Sequence, residues 1–107
     1  MQVPEWIKKV QENLARSEEK LLFADEAIVM GAVKAYKHEG KIRREGSIRI
    51  IFVDMTTLQP VAKIAVSPST ANGLVKALST QLERMKKELE REEAEPAITE
   101  FSPTYIG

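Results

Sequence analysis

The chain contains no cysteine and only one histidine, His38. The first absence excludes disulfides, thiolate zinc sites and cysteine nucleophiles, and the second leaves one imidazole for all proton-transfer and metal chemistry. Glycine is sparse as well. The five are Gly31, Gly40, Gly46, Gly73 and Gly107, and none completes a G-x-x-x-x-G-K-[ST] or G-x-G-x-x-G pattern, so a phosphate-cradling loop has no support. Net charge is missing too: 16 Lys and Arg balance 16 Asp and Glu, so no global field draws the protein to nucleic acid or anionic lipid, and such a partner must be met by a local patch. The longest apolar stretch, residues 27–33, is far shorter than the roughly 20 residues needed to cross a bilayer. The start, Met1-Gln2-Val3-Pro4-Glu5-Trp6, has no basic segment leading into an apolar one. These features predict a soluble, cytoplasmic protein with no membrane partner, no cofactor and no metal.

What is present is one domain's worth of chain: 107 residues, 43% hydrophobic and 30% charged, a composition that folds. The 14 Glu and 10 Lys against two Asn and four Gln are a bias typical of proteins from hot environments. Trp6, Ile7, Val10, Leu14 and Leu21 recur at nearly helical spacing behind Pro4, predicting a helix from 4 to about 21. The period then changes to β-type runs. Strands are expected over about 27–37, 47–53 and 61–66, with a turn at His38-Glu39-Gly40-Lys41 and another over 54–60. Both connections are too short for a crossover helix, so the strands form an antiparallel meander. Alternation places Ile48, Ile50 and Phe52 on one face of the second strand and Ile51 and Val53 on the other, and both faces then need cover.

Ser67 reads as an N-cap and Pro68 as a first-turn residue of a helix running to about 93. Its apolar positions Ala71, Leu74, Val75, Leu78, Leu82, Met85 and Leu89 include a short heptad seam, and Gly73 is read as a helix residue kept for close packing. Pro96 closes the helix. The fold class is α+β, in the order α-β-β-β-α: a three-stranded antiparallel meander with an N-terminal helix and a long C-terminal helix. Residues 1–96 make the domain and 97–107 a tail. That tail holds Phe101 and Tyr105, two of six aromatic residues, and is expected to dock on its own subunit or on a second one.

The stretch Val66-Ser67-Pro68-Ser69-Thr70-Ala71-Asn72-Gly73-Leu74-Val75-Lys76-Ala77-Leu78, entered from a strand, resembles a family of small prokaryotic proteins known as a domain of unknown function. The matching positions are Ser67, Pro68, Ala71, Leu74, Ala77, Leu78 and, one turn on, Leu82, within residues 47–85. The resemblance implies a β-meander followed by a helix opening with Ser-Pro. It implies no activity, since no catalytic residues are associated with that family.

Four features invite a chemical reading. Asp54, ending Ile50-Ile51-Phe52-Val53, is similar to the strand-end nucleophile of haloacid-dehalogenase-like phosphotransferases, with Thr56 as a phosphate partner. Those enzymes need a parallel sheet and further acidic and lysine motifs, and an Asp opening a turn commonly bonds its own backbone. His38 beside Glu39 lacks a further partner and reads as a turn residue. Ser67-Pro68 and Ser102-Pro103 are phosphorylation candidates for which a cap and a turn are sufficient reasons. The fourth is Lys34, Lys37, Lys41, Arg43, Arg44 and Arg49 against Glu39 and Glu45, a local excess of four positive charges around Tyr36. Such a ribbon fits a phosphate backbone, or blunts a sheet edge.

The sequence therefore predicts a non-catalytic interaction module, homodimeric and binding a macromolecular partner, with Leu78, Leu82, Met85, Leu89, Phe101 and Tyr105 at the dimer interface. The alternative is a nucleic-acid-associated protein using the basic hairpin.

Overall fold

Pro4, extended at ψ 147°, turns directly into the first helix, α1 (Glu5–Arg16), with Glu5 at the positive end of its dipole and Arg16 at the negative end. The computed structural model describes residues 3–18, 20–92 and 96–106. The expected continuation of α1 to residue 21 does not occur: Ser17 is extended and Leu21 is fully exposed. The apolar stripe lapses between Leu14 and Leu21, so no burial supports two further turns.

Three strands follow, β1 (Glu26–His38), β2 (Lys41–Asp54) and β3 (Gln59–Val66), in one antiparallel sheet of order β1-β2-β3. Glu39 and Gly40 join β1 to β2, both at positive φ (51° and 76°), as a two-residue type I′ turn requires. β2 begins six residues earlier than its expected start at Ser47. Residues 41–46 carry no apolar alternation, yet the ladder propagates from the turn without a break, pairing Lys37 with Ile42, Ala35 with Arg44 and Val33 with Gly46. β3 pairs only with residues 48–54 of β2. The outer half of the hairpin is thus a two-stranded ribbon standing beyond the third strand.

Ser67 caps the second helix, α2 (Pro68–Leu89), its Oγ accepting from the Thr70 N–H at 3.1 Å. The helix ends at Leu89 with the Glu90 N–H donating to the Lys86 carbonyl at 3.2 Å; residues 93–95, where the sequence placed its end, lie outside those described. Glu88, Glu90 and Glu92 crowd the negative end of the dipole and disfavour further turns. The architecture is α-β-β-β-α, of α+β class.

These elements barely close on one another. Among the described residues Ile7 alone is buried, at 7% exposure. The radius of gyration is 18.4 Å, against about 13 Å for a compact domain of this length. The accessible surface is 10070 Å², against roughly 6,000 Å² for a compact monomer of this mass.

Candidate interaction surfaces

Paired residues of an antiparallel sheet share a face, so the register sorts the side chains. On one face, three rows run across the strands: Ala27, Phe52 and Ala62; Val29, Ile50 and Ile64; Gly31, Ile48 and Val66. Val33 and Gly46 follow toward the ribbon. This face has no charged side chain until Lys37 and Arg44 near the tip. Its edge strands are open, with Val29 64%, Val33 72% and Ile64 48% exposed, while Ile48, Ile50 and Phe52 of the central strand are half-buried. The other face carries Ile28, Met30 and Ile51 beside Arg49 and Lys63.

α2 meets the sheet at its first turn, where a Cβ on Gly46 would lie 3.0 Å from the Pro68 ring. Ala71, next in the same stripe, is half-buried. Beyond it Val75, Leu78, Leu82, Met85 and Leu89 are all exposed, Leu82 at 63%. Four of the six residues expected at an interface, Leu78, Leu82, Met85 and Leu89, therefore lie along one uncovered seam.

Of the other two, Phe101 borders the far end of this seam, facing Met85 and Leu89 across an open cleft, and only Tyr105 sits elsewhere. The tail runs back along a different side of α2: Gln81 donates from Nε2 to the Ser102 carbonyl (2.9 Å) and to Thr104 Oγ1 (2.7 Å), and Arg84 donates from Nη1 to the same carbonyl at 2.7 Å. Ile106 lies so close over Gly73 that a Cβ there would overlap its side chain. Tyr105 meets Trp6 edge-on, ring centroids 5.8 Å apart at 89°, the arrangement preferred by ring quadrupoles. Ile7, Leu74, Pro103 and Tyr105 line one cleft, so α1, the front of α2 and the tail form a layer of their own. Sequence reasoning missed Trp6, Gln81 and Arg84 as seats for the tail; the signal was a Gly inside a helix together with aromatics in a terminal segment.

The ribbon divides its charges. By register Lys34, Lys41, Arg43 and Arg49 share one face with Glu45, whereas Lys37 and Arg44 are on the other, and all six cations are exposed. The Tyr36 hydroxyl donates to Glu45 Oε1 at 2.9 Å, and this bond, with the carboxylate's charge, raises the phenol above its ordinary value of 10.0.

Asp54 accepts from the Thr56 N–H at 2.9 Å, and Asp25 Oδ1 from the Met55 N–H at 2.8 Å, so both carboxylates pin the β2–β3 turn. His38 Nε2 is 3.9 Å from Glu39 Oε1 at the exposed ribbon tip. Among the described residues no group of three or more His, Cys, Asp or Glu is placed to hold a metal ion, and no helix is long and apolar enough to cross a membrane. No protein-family model, curated protein or solved structure matches this chain.

Proposed function

We propose that this protein is a non-catalytic interaction module that works as a homodimer and presents a surface to a macromolecular partner. One observation carries the reading: among the described residues a single side chain, Ile7, is buried, while an apolar sheet face and an apolar helix seam are left open to water. Monomeric proteins rarely leave contiguous apolar patches larger than a few hundred Å² uncovered, and larger ones mark interaction sites. Self-association gives each chain the core it lacks, and the ribbon beyond β3 then remains as the surface offered outward. Light scattering at micromolar concentration is expected to give about twice 12.0 kDa, with little binding of an apolar dye. A monomer that binds the dye strongly refutes the homodimer.

A second reading, nucleic-acid binding, draws on the four cations that share one face of the hairpin, three on the ribbon and Arg49 within the three-stranded sheet. Successive same-face positions on a strand are about 6.8 Å apart, so Lys41 and Arg43 are neighbours that can contact adjacent phosphates, with Arg49 roughly 20 Å beyond Arg43, past Glu45 and Ser47. Lys41→Glu with Arg43→Glu is expected to abolish a salt-sensitive shift of duplex DNA, and the absence of any shift at about 50 mM salt removes this reading.

A further inference from the structure

We infer that a second copy of the chain covers the Ala27–Val33 sheet face by laying the exposed seam of its own α2 across it, and that the exchange is reciprocal. The inference rests on the homodimer reading and specifies its geometry.

The two orphan surfaces match in chemistry and in size. Both are uncharged and aliphatic, apart from Phe52 and Met85. The seam from Val75 to Leu89 extends roughly 21 Å at 1.5 Å per residue. The sheet face from Ala27 to Val33 extends roughly 20 Å at 3.3 Å per residue. A two-fold axis that brings one seam onto one face necessarily brings the other seam onto the other face, so a single operation covers all four.

The helix is committed to this side. Its stripe starts on its own sheet, with Pro68 against Gly46 and Ala71 half-buried, and is open from Val75 onward. Another side of the helix is engaged with the tail through Gln81 and Arg84. The seam is open in the chain as folded, so a second copy's sheet can reach it with the tail left in place.

Gly31 supplies an independent pointer. It sits mid-strand, where glycine weakens a sheet, and its φ is not in the left-handed region, so no turn geometry calls for it. Gly46 on the same face is accounted for by the Pro68 ring, but nothing in the chain lies within 4 Å of a Cβ placed on Gly31. A mid-strand glycine with open space above it is a notch for an approaching group, and a seam leucine fits it.

The area leaves room for such an interface: the chain exposes about 4,000 Å² more than a compact monomer of its mass, and an obligate dimer removes roughly 1,000–2,500 Å² from each subunit.

Because the chain has no cysteine, single thiols report the arrangement directly. The full-length variants Gly31→Cys and Leu82→Cys, mixed and refolded together, are treated with a short bis-maleimide. Leu82 is mid-seam and Gly31 mid-face, so they meet whichever way the helix runs. The expected product is a 31–82 crosslink between two chains, identified by mass spectrometry. Crosslinks joining only Leu82→Cys to itself or only Gly31→Cys to itself overturn the exchange, as does a 31–82 crosslink confined within one chain of the double variant. Val29→Cys paired with Leu82→Cys repeats the test should Gly31→Cys disturb its strand. A dimer without either crosslink sinks this geometry alone; a wild-type monomer in light scattering sinks the homodimer reading with it.

Discussion

Gly73→Ala separates two opposing effects within one side chain. In a helix interior the change contributes about 0.8–1.0 kcal/mol through backbone propensity. Here the added methyl enters space occupied by Ile106, which is 37% exposed and so holds something over half of a buried isoleucine's stabilisation, on the order of 1–2 kcal/mol. Overpacking of this kind costs about 1–3 kcal/mol. Gly73→Ala in the full chain is therefore expected to lie between neutral and about 2 kcal/mol destabilising. In an Ile106→Ala background the closest contact is gone and only the Cβ at 3.2 Å remains, which the tail can relieve by a small shift, so the same change should stabilise by up to about 1 kcal/mol. Urea melts of the four proteins, all at one chain concentration so that association does not bias the comparison, yield the coupling as a double-mutant cycle. Equal stabilisation of about 1 kcal/mol in both backgrounds refutes the seating of Ile106 on Gly73.

Ser67→Ala removes the acceptor for the Thr70 N–H and should cost about 1 kcal/mol in a urea melt. Leu58 stands at φ 58° in the β2–β3 turn and is 70% exposed; Leu58→Asn should gain about 0.5–1 kcal/mol by the same assay, since little packing is lost and the left-handed conformation suits Asn. The folded-state pKa of Tyr36 is raised, so its bond to Glu45 supports the ribbon below pH 10 and that support fades as pH climbs through the raised value. Ultraviolet titration in a Tyr105→Phe background should therefore show ionisation above 10.0, returning toward it in Glu45→Ala.

The order of elements was legible because each rests on a local rule: helical spacing behind Pro4, β-branched runs, and a Ser-Pro start that both caps and pre-sets the first turn of α2. The inner strand residues sort to faces as simple alternation implies. What was hidden is non-local. The charged segment 41–46 is a strand because the Glu39-Gly40 turn imposes a register on it, not because of its own pattern. The division of six cations into four and two follows from that register. The tail's seat depends on Gln81 and Arg84, whose side chains would be ordinary on any solvated helix, and only the path of the chain brings Ser102 within 2.9 Å and 2.7 Å of them. Ile7 is buried while Trp6, Val10 and Leu14 of the same stripe are not, a distinction that spacing alone cannot make.

The seat of Ile7 has a consequence for biosynthesis. Its neighbours Pro103 and Tyr105 lie far along the chain from it, so α1 leaves the ribosome well before the segment that packs on it. Until then α1 is a 12-residue segment, too short to persist as a helix in water. The hairpin, built from neighbouring residues, can form while synthesis continues; α1 must wait. A message truncated before residue 101 thus yields a product defective at both ends, its N-terminal helix as homeless as the missing tail, and a chaperone or protease that inspects nascent chains would meet Trp6 and Ile7 exposed throughout elongation.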